Sequence, residues 1–393
     1  MPVKKILTFF IVWRLTLLLI AVLALQIIPL PTFRFHASPQ WYLRKDVPDY
    51  VWVWGNFDGD GYLLIADRGY RDYGQPFFPL FPITIKAFNL LTKIPLIVSG
   101  QIISNLFFVA TLFLVYKLLK IDKKTTNFSD FLWILFLFPT SFFYVAIYND
   151  SMFFFLAALT IYFARREKWI ASSIAGALAT LTRLNGLALF LFIIAEYLIS
   201  NINTYSGWKV KTLYKNFLKK FTFKNLLKKG LLSSFLIPVA FISYLVYIQI
   251  QFGSWTRLFS SMKVWNQDKI VFPLQVFWRY FKIIFLYPQI HYVYWVSVLE
   301  LLMVLFYIFF IIYSYKKIRL SYWLFMIVSL LIPASTGTFQ GMPRYGLHLY
   351  PLFLAIALFF QQQSRVKKLA YFVICAILLI VLVSLFVRRY FIA

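Results

Sequence analysis

A chain of 393 residues that is 62% hydrophobic and only 13% charged carries more apolar surface than a soluble fold can hide. Apolar runs of about twenty residues recur along it, long enough to cross a bilayer core of roughly 30 Å at about 1.5 Å per helical residue. In a soluble protein the net charge of +27 would suggest nucleic acid, but here Lys and Arg gather in loops as orientation in a membrane requires, so nucleic acid is set aside as a partner. The expectation is one all-α polytopic membrane domain over residues 1–393, with about eleven transmembrane helices in a range of roughly nine to thirteen.

The first span is expected at Ile6–Leu30, with Arg14 inside it and Pro29 and Pro31 closing it. It follows Lys4 and Lys5 but lacks a small-residue cleavage site, so it reads as a retained span rather than a signal peptide. Arg14 calls for a partner such as Glu300 or a polar pathway. The loop 32–93 is too polar and proline-rich to cross. Its aromatic residues (Trp41, Tyr42, Tyr50, Trp52, Trp54) suit the headgroup layer, and interfacial helices are expected at Asn56–Tyr70 and Ile83–Leu91.

Further spans are expected at Pro95–Leu119, Phe131–Ile147, Ser151–Ala164, Trp169–Thr182, Leu184–Ile199, Gly230–Phe252, His291–Tyr315, Leu320–Ser335, Gly346–Phe360 and Leu369–Val387. Val271–Pro288 is apolar but interrupted, which suits a re-entrant or interfacial segment. Residues 201–229 alternate basic and apolar positions as an amphipathic helix on an anionic leaflet would. Glu196, near a span end, is expected to snorkel. The lone Cys375 can form no internal disulfide, and His36 and His291 stand alone in loops.

With the N-terminus inside, more than half of the 40 basic residues fall in inner loops, which favours a cytoplasmic N-terminus. Arg388 and Arg389, at the outer end, run against that trend. This topology brings the Asp58 loop, the Asn149-Asp150 turn, the Thr182–Asn185 turn and the Gln340–Tyr345 loop to one outer face. That convergence marks a candidate site.

Four of only 13 acidic residues (Asp58, Asp60, Asp67, Asp72) lie within one short stretch of the first loop. Asp58 and Asp60 are two apart, about 200° on a helix, so the glycines at 59 and 61 favour a turn in which both carboxylates converge. There Asp58 could act as a general base toward a sugar hydroxyl, or the pair could hold a divalent metal; a solvated Asx turn is the alternative. Asn149 and Asp150 suit helix capping and substrate binding equally. Arg183, beside Asn185, is expensive near a span unless paired, and phosphate is its bidentate partner; a snorkelling loop arginine is the alternative. Arg344, with His348 one helical turn on, could hold an anionic leaving group, or both could simply pack. No His/Cys/Asp cluster has metal spacing and no Walker pattern occurs.

Four segments carry a resemblance: Phe57–Pro82 (FDGDGYLLIADRGY with QPFFPLFP), Phe138–Leu159, Gly176–Gly186 (GALATLTRLNG) and Met342–Phe353 (MPRYGLHLYPLF). They resemble the second mannosyltransferase of glycosylphosphatidylinositol anchor synthesis and its prokaryotic relatives, in the GT-C superfamily of membrane glycosyltransferases. Phe57 stands where that pattern has tryptophan, and Asn149-Asp150 replaces its Ser-Glu. The resemblance implies inverting transfer of a hexose, mannose first, from a polyprenyl-phosphate donor to a lipid-linked glycan or other acceptor on the non-cytoplasmic face. Asp58 would be the catalytic base, with Asp60 supporting catalysis, metal or acceptor. Arg183, Arg344 and His348 would face the donor phosphate, and Asn149, Asp150 and Asn185 would bind substrate. A transporter or lipid flippase is the competing reading, since buried charges also mark translocation paths; the absence of repeated halves weighs against it.

Overall fold

The computed structural model describes residues 2–31, 47–71, 73–122, 127–200, 208 and 231–392. Expectations for Asp72, His36, Trp41, Tyr42 and the basic segment 201–229 lie outside the described residues, apart from Trp208, whose indole donates to the Ile318 carbonyl at 2.7 Å.

Among the described residues the fold is entirely helical. In chain order the first half holds α1 (Pro2–Ile27), α2 (Asp49–Trp52), α3 (Asp58–Arg68), α4 (Leu80–Thr92), α5 (Leu96–Asp122), α6 (Phe128–Phe136), α7 (Asp150–Arg165), α8 (Trp169–Thr180) and α9 (Ala188–Ser200). The second half holds α10 (Leu236–Phe252), α11 (Arg257–Ser260), α12 (Pro273–Leu286), α13 (Tyr292–Ser314), α14 (Leu320–Ala334), α15 (Met342–Tyr345), α16 (Tyr350–Gln361) and α17 (Arg365–Val387). Among the described residues five stretches are long and apolar enough to cross a membrane alone: Val3–Ile27, Leu96–Asp122, Leu231–Phe252, Tyr292–Ser314 and Arg365–Val387. The remaining expected spans resolve into shorter helices. The protein is an integral membrane protein. Short polar caps set some boundaries: the Asn127 side chain accepts from Ser129 N–H at the start of α6, and Pro273 opens α12 where its missing N–H costs nothing.

α5 and α8 flank α7, α14 packs on α9, and α1 lies along α17. The chain breaks where the helices are shortest. The helix expected to reach Ile147 stops at Phe136, and 137–149 continue as buried irregular backbone with one 3-10 turn at Ser141–Tyr144. Such backbone survives at membrane depth only when other protein groups satisfy it. Here Ser141 Oγ donates to Phe136 O (2.7 Å), Thr140 Oγ1 to Pro343 O (2.7 Å), and Ile147 N–H to Trp54 O (2.8 Å).

Three local expectations are corrected. Asp58-Gly-Asp60-Gly is the first turn of α3, not a turn that converges two carboxylates. Gly61 answers to packing, since a Cβ there would lie 2.8 Å from the Phe77 ring, whereas one at Gly59 would make ordinary contact with the Ile147 carbonyl at 3.4 Å. Arg14 meets Gln101 (3.5 Å) and the face of Trp54 (4.4 Å) rather than Glu300, which accepts from the Tyr280 hydroxyl.

Glu196 does not snorkel. It is buried at the far end of α7 from Asp150, between Arg165 (3.2 Å) and Arg319 (2.9 Å). Arg165 also meets Asp122 (3.3 Å), which accepts from the hydroxyls of Tyr322 (3.0 Å) and Tyr350 (2.8 Å). Removing one member of a buried ion pair strands its partner, at a cost of about 3–5 kcal/mol. Glu196→Ala should therefore lower the thermal stability of the detergent-purified protein by about that amount; an unshifted melting temperature would refute a load-sharing role for this network.

Candidate functional site

The site begins at a kink. Phe57 adopts a left-handed φ of 59°, so the chain enters α3 abruptly and Asp58 falls at its first position. The Asp58 N–H donates to the Tyr148 hydroxyl (3.2 Å), which donates in turn to the Asn56 carbonyl (2.9 Å). The buried irregular segment before α7 thus holds the catalytic candidate's backbone. Asp58 Oδ2 accepts from Arg344 Nη1 at 2.8 Å, and the Arg344 guanidinium lies over the rings of Tyr148 (4.9 Å) and Phe143 (5.2 Å). The arginine side chain is 10% exposed and the aspartate 21%, so the carboxylate is the wetter partner.

A second pair stands beside the first. Asp150, fully buried in the first turn of α7, accepts from Arg183 Nη1 at 2.6 Å. Arg183 occupies the turn between α8 and α9. That turn is tight because Gly186 sits against the Thr180 backbone, where an added Cβ would come within 2.5 Å. Asn149 Nδ2 donates to the Thr182 carbonyl and Asn185 Nδ2 to the Ser329 carbonyl (2.7 Å), fixing the turn from both sides. The Arg183 guanidinium lies over the Tyr345 ring (4.8 Å), the neighbour of Arg344. The Arg344 turn is pinned by Tyr307, whose hydroxyl lies 3.0 Å from Met342 O and 3.2 Å from Pro343 O.

Asp58, Arg344 and Arg183 border one cavity of about 130 Å³, lined also by Tyr62, Asn149 and Asn185 and walled by the aromatic rings of Phe77, Trp265 and Phe391. Five of the residues singled out from sequence therefore meet there. Asp150 and His348 stand behind Arg183, outside the lining. Asp60, two positions along α3 from Asp58, is also outside it, as helical geometry dictates. Among the described residues no three His, Cys, Asp or Glu side chains come together as a metal-ligand group.

Tyr62 had no place in the sequence reading, though its position one helical turn after Asp58 was a usable signal. Its hydroxyl has no hydrogen-bond partner among the described residues. Burial, then the charges of Arg183, Asp58, Arg344 and Asp150, act on it, and its net shift is well upward, so it stays a neutral donor. Tyr148, which orients Asp58, carried no sequence signal. Burial opposes the charge on Arg344, but Asp58 and then Asp150 outweigh it, and the guanidinium is held protonated more firmly than usual.

His348 is fully buried, with Nδ1 3.4 Å from Arg183 Nη1 and its ring edge-on to Phe153. Burial, then the charges of Arg183 and Arg344, push its pKa well below the ordinary value, which keeps the imidazole neutral beside Arg183. An unfolded histidine titrates near 6.5. Below that pH the unfolded chain takes up a proton that the folded His348 refuses, so stability should fall as pH drops from about 6.5. Melting temperatures between about pH 7.5 and 5.5 check this: His348→Asn should reduce the slope, and an unchanged slope would remove His348 as its source.

Helices long and apolar enough to cross a membrane, and a polar cavity that Arg183 and Arg344 line, each paired with an aspartate, define an integral membrane protein with a charged internal site. The Mannosyltransferase (PIG-V) family matches residues 3–327, and the chain belongs to that family. It is therefore a membrane hexosyltransferase that uses mannose. A comparison with curated proteins finds no match. The family match ends before Arg344 and His348, which reach the site through the fold.

Proposed function

We propose that the protein transfers a mannosyl group, with inversion, from a polyprenyl phosphate to a hydroxyl of a lipid-linked glycan on the non-cytoplasmic face. The observation that carries this reading is the Asp58–Arg344 contact at 2.8 Å on the rim of the cavity. Family membership assigns transfer rather than translocation. The charge asymmetry of the loops supports a cytoplasmic N-terminus, which leaves the Asp58 loop on the other side.

In this mechanism the acceptor oxygen attacks C1 of the sugar, the C1–O bond to phosphate breaks, and its electron pair leaves with the phosphate. Asp58 takes the acceptor's proton. Two arginines and two aspartates make the resting site neutral overall. Protonation of Asp58 removes the counter-charge of Arg344 while the leaving group passes from a phosphodiester monoanion toward a monoester dianion. Arg344 therefore gains its full charge as the phosphate needs it. Only Arg344 Nη1 is engaged with Asp58, and Nε is buried without a partner among the described residues, so the five-donor guanidinium has N–H groups to spare. Arg183, held by Asp150 and His348, supplies the second guanidinium. Tyr62 and Asn149 can donate to or accept from sugar hydroxyls, and the aromatic walls suit the apolar face of a hexose.

The test is Asp58→Asn in purified protein given polyprenyl-phosphate mannose and candidate lipid-linked acceptors. Asparagine keeps the hydrogen bond from Arg344 but cannot accept the proton, so turnover should fall by about 10²–10⁴ with the melting temperature retained. Full turnover by this variant would overturn the base assignment.

A further inference from the structure

A second cavity, of about 240 Å³, lies at the ends of α1 and α17 and is lined by Asn56 but not by Asp58. Asp49, Trp52, Asn56, Arg388 and Arg389 supply its polar lining, with Leu30 and Pro31 among its apolar members. We propose that this cavity binds the phosphate head group of an anionic membrane lipid.

The two arginines are otherwise unexplained. Neither guanidinium forms an ion pair with a described residue, and Arg388 Nε is buried without a hydrogen-bond partner. They are not spent on capping α17. Asn56 Nδ2 already donates to the Phe386 (3.0 Å) and Val387 (3.3 Å) carbonyls, and the backbone N–H groups of Arg388, Arg389 and Tyr390 take those of Ser384, Leu385 and Phe386. Arg389 adopts a left-handed φ of 66°, which turns the chain sharply past the helix end. Among the described lining residues, two cations stand against the single carboxylate of Asp49, and an orphaned buried guanidinium donor calls for an acceptor.

The surroundings select a lipid over a free anion. Leu25 of α1 and Val387 of α17 border the cavity, and these helices pack together and carry exposed apolar residues such as Ile27 and Val381, with the exposed Leu30 just past α1. Acyl chains seated on that surface put a head group at the level of Trp52 and the arginines, where indole and guanidinium groups favour the membrane interface. The same chain segment that lines this cavity with Arg388 and Arg389 lines the first with Phe391, and Asn56 reaches Asp58 through the Tyr148 hydroxyl. A bound head group would therefore brace the wall and the helix start of the candidate active site.

The full-length protein in phosphatidylcholine nanodiscs with and without phosphatidylglycerol tests this by native mass spectrometry. Wild type should retain phosphatidylglycerol, and Arg388→Gln/Arg389→Gln should retain it about tenfold less. Equal retention by both proteins would overturn the proposal. Displacement of the lipid by millimolar inorganic phosphate would also overturn it, by showing a site for a free anion. Should the double variant fail to fold, a photoactivatable phosphatidylglycerol cross-linked to wild type decides the matter. Adducts on residues 47–56 or 387–392 support the site, and adducts confined to other segments reject it.

Discussion

The contact between Asp58 and Arg344 joins residues 286 positions apart and ties the start of α3 to the turn after α14. In a low-dielectric interior neither charge is tolerable alone, so the fold must deliver both to the same place. Much of the surrounding structure follows from that demand. Phe57 bends the chain so that Asp58 opens a helix, Tyr148 fixes its backbone, and Thr140 and Tyr307 hold the carbonyls around Pro343. The Arg183–Asp150 pair repeats the solution one step further in, with His348 kept neutral behind it.

These requirements explain where the helices break. Regular helices satisfy their own backbone but present side chains only along their flanks. Interruption at 137–149, at the Arg183 turn and at 335–349 lets backbone and side chains from separate helices meet at one cavity. The irregular stretches are affordable because tyrosine and threonine hydroxyls from neighbouring segments bond to their backbone groups. At the far end of α7, Arg165, Glu196, Arg319 and Asp122 form a second buried charge network. It has tyrosine hydroxyls as additional donors and ties several helices together, as befits a helix clamp.

Much of the candidate site was legible as residue types. Asp58, Asn149, Arg183, Asn185 and Arg344 stood out because polar groups are costly beside apolar spans, and all five line the cavity. Their roles relative to one another were not legible. Asp150 and His348 contact Arg183 from outside the cavity lining, and Gly61 serves the close approach of the Phe77 ring rather than a turn that converges carboxylates. Tyr148 was invisible, since one tyrosine among 26 carries no signal until its hydroxyl is seen between Asp58 and Asn56.

By itself the sequence determined that the chain is helical and membrane-embedded, and which few polar residues it could not hide without purpose. Both follow from local chemistry: apolar run length fixes helices, and desolvation makes each buried charge conspicuous where it stands. Tertiary structure alone decided the partners. Glu196 meets Arg319, Arg14 meets Trp54, and Asp58 meets Arg344, because pairing is settled by which side chains the fold brings within contact of each other. Periodicity reaches only a few residues along the chain, whereas the cost of an unpaired charge acts across the whole fold.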